Sequence, residues 1–191
     1  MFGRQHTSFF LMFGLVIALL IIVLIFVFSS HNSQTIKSAT PIAAYANNLT
    51  AQAAVLIDGP EAAASEHNQV QIIITNSSAT LNIISGYNSR VTNTKVYANN
   101  EAAFHVFLRS LEYSQFDVGR NSPNLSQASG YCPLGDRYIF TFNVNGIQKE
   151  RYWITNCNGD PHTFNGNLTL TLQLFQNQIP GYQNLVANLN I

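Results

Sequence analysis

The feature that most constrains the fold of this chain is the Asn145-Gly146 dipeptide, which lies between two runs of β-branched and aromatic residues. Asn-Gly is the strongest short-range signal for a two-residue type I′ turn between antiparallel strands. Residues 136–155 are therefore predicted to form one β-hairpin. With this turn, the numbers of paired residues sum to 291, as 145 and 146 do.

This register divides the hairpin into two faces of different chemistry. One face collects six apolar or aromatic side chains with two basic ones and is predicted to pack on the core: Tyr138, Phe140, Phe142, Val144, Ile147, Lys149, Arg151 and Trp153. The opposite face is mixed and predicted to be solvated. Arg137, Thr141, Glu150 and Tyr152 on that face form the candidate binding patch, because Tyr and Arg are enriched at binding hot spots. A solvated or helix-covered sheet face is the alternative.

The chain has two cysteines, and the predicted hairpin brings them together. The register places Cys157 opposite Leu134, two residues from Cys132, at the open end of the hairpin. Buried thiols or part of a zinc site are the alternatives, but a closed structural zinc site needs four ligands. We therefore predict a Cys132–Cys157 disulfide, worth about 3 to 4 kcal/mol by loop closure, and neither a metal nor a cofactor.

An unbroken apolar run of twenty residues extends from Phe9 to Phe28. A helix of that length spans about 30 Å, the hydrocarbon thickness of a bilayer. Arg4 precedes the run, which places the N-terminus in the cytoplasm by the positive-inside tendency. The run predicts a signal-anchor at the cell membrane, with a single pass at 9–28, a cytoplasmic segment at 1–8 and the rest of the chain extracytoplasmic. A cleaved signal peptide is the alternative, although the run exceeds the usual apolar length of such peptides.

The remaining segments predict strands followed by helices. Residues 29–68 are assigned as a juxtamembrane linker with a helix at 41–57, because apolar residues recur there at three- and four-residue steps. An extracytoplasmic domain at 69–182 and a loosely attached tail at 183–191 follow. Within the domain, three β-rich runs predict an antiparallel meander whose third strand lies near an edge: 69–75, 80–87 and 90–97.

Two helices and a long loop complete the predicted domain. Residues 100–113 carry an apolar stripe at helical spacing behind an Asn cap. Residues 114–135 form a Gly-, Ser-, Asn- and Pro-rich loop, and loops of that length are often functional or mobile. Residues 164–180 fit either a helix or a strand, and their length favours a helix. The predicted fold class is α+β: a transmembrane helix, then a β-meander, a helix, a disulfide-clasped hairpin and a C-terminal helix.

Composition and motifs exclude more functions than they indicate. The formal net charge is zero and 9% of residues are charged, so the phosphate-neutralising charge of nucleic-acid-binding proteins is missing. Motifs for nucleophilic hydrolases, zinc proteases, phosphate loops and dinucleotide sites are absent. Four acids could supply a catalytic carboxylate pair: Glu112, Asp117, Asp136 and Glu150. The leading hypothesis is a non-catalytic surface module that binds a protein or glycan, and the runner-up is a cell-wall or glycan hydrolase.

Two resemblances bear on the architecture. The order of apolar run, helix, β-meander and disulfide loop resembles that of type IV pilins, which implies a pilin-like assembly subunit as a third possibility. The run lacks the pilin Gly before its start and the Glu near its beginning, and residues 29–34 interrupt the helix. The segments YANN (97–100), CPLGDRY (132–138), WITNC (153–157) and QIP (178–180) resemble uncharacterised single-pass surface proteins of small-genome candidate-phyla bacteria, a likeness that implies no function.

Overall fold

The computed structural model describes residues 14–23, 35–38 and 40–191, and the chain divides into two compact units at residues 1–34 and 35–191. In the first unit, residues 14–23 are helical and exposed. No helix in the described ranges is both long and apolar enough to cross a membrane. The predicted transmembrane helix at 9–28 is corrected accordingly, and the rest of that run lies outside the described residues.

The second unit is built on a six-stranded antiparallel sheet with strand order β5-β4-β3-β2-β7-β8. Its strands are β2 (Gln52–Asp58), β3 (Asn68–Thr75), β4 (Ser78–Ser85), β5 (Arg90–Ala98), β7 (Arg137–Val144) and β8 (Ile147–Thr155). A separate two-stranded sheet pairs β1 (Thr35–Lys37) with β6 (Val118–Arg120). The predicted meander is confirmed as β3, β4 and β5, with β5 at the edge.

The predicted helix at 41–57 is wrong. A short 3-10 helix occupies Ile42–Tyr45, and the central strand β2 follows. The residues Ala53, Val55 and Ile57 are buried at alternate positions, whereas Leu49, on the predicted helical stripe, is 82% exposed. Strand β2 pairs with β3 on one side and β7 on the other. A central strand covered in this way has a continuous apolar sequence, which sequence periodicity alone does not separate from a helix.

Three helices complete the unit: α1 (Glu101–Tyr113), α2 (Leu168–Gln176) and α3 (Tyr182–Val186). The predicted helix at 100–113 is confirmed as α1, capped by the Asn100 side chain, which accepts from the Ala103 N–H at 2.9 Å. The ambiguous segment 164–180 contains α2, so a helix is found there. The last residues are not a loose tail, because Val186 is buried and Leu185, Leu189 and Ile191 pack against the core.

The hydrophobic core lies between the sheet and these helices. Phenylalanine rings join the layers: Phe107 of α1 meets Phe175 of α2 edge-on at 5.2 Å, and Phe116 meets Phe140 of β7 edge-on at 5.9 Å. Each of these rings is almost fully buried. Edge-to-face pairs of this kind add to the free energy gained by burial.

The predicted hairpin is confirmed as β7 and β8, with positive φ at both Asn145 and Gly146. Its predicted register holds only for the first two pairs, Val144 with Ile147 and Asn143 with Gln148. The register then shifts by one at a β-bulge, because Phe142 pairs with Glu150 and leaves Lys149 as the extra residue. Beyond a one-residue shift, every side chain of one strand changes face relative to the other.

The bulge exchanges two aromatic residues between the faces of the hairpin. Tyr152 pairs with Phe140 and joins the hydrophobic core, whereas Trp153 pairs with Ile139 on the outer face. Trp153 is nevertheless fully buried, because the long loop covers it. The predicted packing of Phe140 and Phe142 in the core is confirmed, while the core position of Trp153 and Arg151 is corrected.

Candidate functional site

The loop at residues 114–135 is fastened along the outer face of the hairpin. The Trp153 indole N–H donates to the carbonyl of Leu125 at 2.6 Å, and its ring stacks on Tyr131 with centroids 5.1 Å apart. The Arg151 guanidinium donates to the carbonyl of Ser126 at 2.6 Å. These contacts fix a segment whose composition predicts mobility.

The predicted disulfide between Cys132 and Cys157 is present and closes the base of this assembly. Their Cα atoms lie 5.7 Å apart. The bond joins the end of the loop to the chain just after β8. Asp160 lies with the two sulfurs in a group of potential metal ligands, but sulfurs bonded to each other offer no thiolate to a metal.

A cavity of about 310 Å³ lies between the fastened loop and the hairpin. We call it the loop–hairpin cavity. The loop contributes amide and hydroxyl groups from Asn121, Ser122, Ser126 and Gln127, and the hairpin contributes Gln148, Arg151 and Trp153. Arg120 from β6 and Thr163 from the segment after β8 complete its polar wall. The volume falls in the range of small-molecule sites.

Two arginines give the loop–hairpin cavity its charge. Among the described residues that line it, none is acidic, and neither arginine forms an ion pair with a described acid. The Arg120 Nε is buried without a hydrogen-bond partner in the described part of the chain. Burial lowers the pKa of Arg151. Both arginines are partly buried, and partial removal of a guanidinium from water without a counter-charge is unfavourable. The cavity therefore favours an anionic partner.

The four residues of the predicted binding patch do not form one surface. Arg137 and Thr141 lie on the outer face of β7, whereas Tyr152, beyond the bulge, joins the core. Tyr152 donates its hydroxyl to the carboxylate of Glu150 at 2.6 Å, and burial raises the pKa of this tyrosine. The bulge at Lys149 therefore divides the patch between two faces.

Arg137 itself is buried, and each of its three guanidinium nitrogens has an acceptor. Its Nε donates to Asp58 at 2.8 Å, one terminal nitrogen donates to Glu61 at 2.9 Å, and the other donates to the Gly59 carbonyl at 2.9 Å. Asp58 also accepts from the Gln69 amide at 2.7 Å. We call this group the Arg137 cluster. It fastens β7 to the end of β2 and leaves its guanidinium little capacity for a ligand.

Of the four acids considered for hydrolysis, Asp117 has the most unusual setting. It is fully buried, and both carboxylate oxygens lack a hydrogen-bond partner among the described residues. Burial raises its pKa; Lys37 opposes that shift, and nearby Glu112 and Glu150 add to it. Asp117 has no contact with solvent and does not line the loop–hairpin cavity. Glu112 and Glu150 thus lie near enough to act on Asp117, and none of these three acids lines the loop–hairpin cavity.

The fourth acid, Asp136, belongs to the hairpin base. Its carboxylate accepts from the Tyr138 hydroxyl and the Asn156 amide, each at 3.1 Å. Burial raises the pKa of Asp136, and the hydrogen bond from Tyr138 lowers it in part. Asp136 lines a separate cavity of about 190 Å³ with no second acidic side chain among the described residues around it. This arrangement does not supply the acid pair that glycoside hydrolysis needs.

The sequence carried one signal for the loop–hairpin cavity. The uninterrupted register placed Lys149 and Arg151 on the core face among aromatic residues, where unpaired charges are unfavourable. The bulge at Lys149 avoids burying these two charges in the core, because Lys149 is exposed and Arg151 lies on the outer face. Arg120 had no such signal, since its position depends on the pairing of β6 with β1.

A scan against protein-family models, a search of curated proteins and a search of solved structures each found no match to this chain.

Proposed function

We propose that residues 35–191 form a non-catalytic binding domain that acts outside the cytoplasm and holds its ligand in the loop–hairpin cavity. The observation that carries this proposal is the preformed cavity itself. Its walls combine polar and apolar groups, Trp153 lines it, and its loop is fixed by contacts at Leu125 and Ser126 and by the disulfide. Preformed concave sites with a few convergent polar groups are the usual ligand sites of proteins.

The chemistry of the lining supports binding rather than catalysis. Among the described lining residues there is no carboxylate, thiol or imidazole. The hydroxyls of Ser122, Ser126 and Thr163 therefore have no base beside them in the cavity. A hydroxyl without an adjacent base is a weak nucleophile. The hydrolase alternative has less support, because its candidate acids lie elsewhere.

The pilin-like alternative also has less support. It required one continuous helix from residue 9 through residue 57, whereas Gln52–Asp58 is the central strand of the sheet. The disulfide supports the proposed location, because disulfides persist in oxidising compartments outside the cytoplasm. The neutral, amide-rich composition is consistent with that setting.

Trp153 provides a direct test, because it is the only tryptophan in the chain and borders the cavity. We would record the indole N–H resonance of the ¹⁵N-labelled full chain against a mixture of neutral sugars, sugar acids, amino acids and short peptides. We expect at least one component to shift this resonance saturably and to be recovered unchanged. The absence of any shift, or conversion of the bound component to products, would contradict the proposal.

A matched variant places the effect in the cavity. Gln148→Phe, from the hairpin wall, places a larger apolar side chain in the cavity, keeps Trp153 as the only indole and is expected to abolish the response. Lys149→Gln, at the exposed bulge beside it, is expected to leave the response unchanged. Equal responses from both variants would place the ligand elsewhere.

A further inference from the structure

We propose that the loop–hairpin cavity binds the carboxylate of an acidic sugar between Arg120 and Arg151. This inference rests on the proposed function and adds the chemical class of the ligand. It depends on a charge imbalance: two arginines line one cavity, and no acid among the described residues lines it. A ligand with one negative group would supply the missing counter-charge.

Arg151 is held in a fixed position while donors remain free. One terminal nitrogen donates to the Ser126 carbonyl at 2.6 Å, a bond that anchors the side chain to the loop. Its strand position is set by pairing with Thr141 across the hairpin. A guanidinium has five N–H donors, so this single bond leaves most of them available. An anchored, partly desolvated guanidinium is preorganised for a carboxylate.

Arg120 is fixed through its backbone rather than its side chain. Its N–H donates to the Thr163 carbonyl at 2.8 Å, and β6 pairs with β1 on the other side. Its Nε is buried and lacks an acceptor among the described residues. A buried donor without an acceptor costs free energy, and Arg120 forms no ion pair with a described acid that would offset this cost. Arg120 and Arg151 therefore both have guanidinium donors that lack a hydrogen-bond acceptor in the described part of the chain.

The Arg137 cluster shows which group this fold uses to satisfy a buried guanidinium. There, the carboxylates of Asp58 and Glu61 accept from Arg137 at 2.8 and 2.9 Å. A ligand carboxylate would accept hydrogen bonds from the arginines of the cavity, as Asp58 accepts one from Arg137 in the cluster. Planar carboxylates match the arginine fork through two parallel hydrogen bonds.

The rest of the lining indicates a hydroxyl-bearing ligand. The side chains of Asn121, Gln127 and Gln148 can each donate and accept hydrogen bonds, as the ring hydroxyls of a sugar require. Apolar groups contribute almost as much of the wall, among them Pro123, Leu125 and Trp153. A ligand with one carboxylate on a polyhydroxylated ring complements both the charged and the neutral parts of the cavity.

The test compares three probes with the full chain: glucuronate, glucose and inorganic phosphate. Glucuronate and glucose differ only in carboxylate against hydroxymethyl at one ring carbon. Binding is followed by calorimetry and by Trp153 emission. We expect glucuronate to bind at least tenfold more tightly than glucose or phosphate, because a charge-assisted bidentate contact is lost with the neutral sugar and its planar geometry is lost with phosphate.

Variants assign the effect to the two arginines. Arg120→Gln and Arg151→Gln are each expected to weaken glucuronate binding about tenfold or more and to leave glucose binding almost unchanged. Arg151→Lys keeps the charge but loses the fork, so it should restore only part of the affinity. Lys149→Gln removes an exposed charge from the same strand and should have no effect. Melting curves of each variant establish that it is folded.

The outcomes separate this inference from the proposed function. Equal binding of glucose and glucuronate at Trp153 would overturn the carboxylate assignment and leave a binding domain in place. Equal binding of phosphate and glucuronate would overturn the sugar-acid assignment. Glucuronate affinity unchanged in both glutamine variants would remove the arginines from the site. Failure of all three probes would overturn the sugar-acid inference, and the proposed function itself would fall only if the wider mixture also left the Trp153 indole unshifted.

Discussion

The outer face of the β7–β8 hairpin places arginine in two contrasting environments. Arg137 is 2% exposed and meets two carboxylates and a backbone carbonyl, all within 2.9 Å. Arg151 lies on the same face, with one carbonyl partner and an open cavity beside it. The first arrangement is complete without a ligand and holds strands together. The second leaves donors of Arg151 free for a further acceptor, and under the proposed function this acceptor is the ligand.

The largest expected loss of stability comes from replacing Arg137. Arg137→Met leaves the Gly59 carbonyl without its donor and removes the arginine that neutralises the part-buried Asp58, which keeps only its hydrogen bond from Gln69 and its contact with His67. Loss of one partner of a buried ion pair is strongly destabilising. We expect the free energy of unfolding to fall by about 4 kcal/mol. Urea denaturation measures the change, with Arg151→Met as the matched control on the same face. Similar losses of stability for Arg137→Met and Arg151→Met would mean that the two arginines do not differ in their structural role.

Cleaving the disulfide tests whether loop and hairpin form one assembly. The bond joins residues 25 apart in sequence, and the double variant Cys132→Ser/Cys157→Ser is expected to lose about 3 kcal/mol of stability. Because the released loop carries half of the cavity wall, glucuronate binding should weaken as well. Urea denaturation and calorimetry on the same preparation check both effects. A stable variant with undiminished affinity would show that the loop is held without the bond.

Asp117 is an acidic side chain that, like the Arg120 Nε, is buried without a hydrogen-bond partner among the described residues. Unlike Arg120, it does not line the loop–hairpin cavity. Burial raises the pKa of Asp117 above its ordinary value of 3.8, so the folded state holds this proton more tightly than the unfolded state does. The resulting stabilisation is complete below about pH 3.8 and is lost as the pH rises through the folded pKa.

The corresponding variant, Asp117→Asn, has no carboxylate to ionise. We expect it to be more stable than the natural chain at pH 7 by about 1 kcal/mol, because no charge must be buried. The difference should shrink toward pH 3, where Asp117 is protonated in both states. Urea denaturation at the two pH values measures it. A variant that is less stable at pH 7 would mean that the Asp117 carboxylate has a favourable partner.

The smallest effect on stability is expected at the cavity arginines. Arg120→Met and Arg151→Met remove guanidinium groups that have no acidic partner among the described residues, while keeping much of the apolar stem. Each variant should stay within about 1 kcal/mol of the natural chain, with Arg120→Met neutral or more stable, because its buried Nε is removed. Thermal melts without ligand check this, and a loss of several kcal/mol would make these arginines structural.

Local sequence signals predicted the parts of the fold that depend on neighbouring residues. The turn at Asn145-Gly146, the meander and the cap at Asn100 each follow from a few adjacent side chains, and each is present. The error at 41–57 has a different cause. Strand β2 is apolar because it pairs on both sides within the sheet, a long-range fact that its own residues do not encode.

The candidate site was harder to predict than the fold, because it depends on a bulge and on a loop. A one-residue shift at Lys149 moved Trp153 and Arg151 to the outer face and divided the predicted patch. The loop then returned to cover that face through contacts to Leu125 and Ser126, which have no sequence signature. The disulfide was predictable because the hairpin register brought both cysteines to one end, where a small shift does not matter.

The most direct test of this account is urea denaturation of the Arg120→Met/Arg151→Met double variant and the natural chain, each with and without saturating glucuronate. A ligand at about one hundred times its Kd stabilises the folded state by about 2.7 kcal/mol. We predict that gain for the natural chain, no gain for the double variant, and nearly equal stability of the two without ligand. A double variant that loses several kcal/mol without ligand, or that gains as much from glucuronate as the natural chain, would contradict the account.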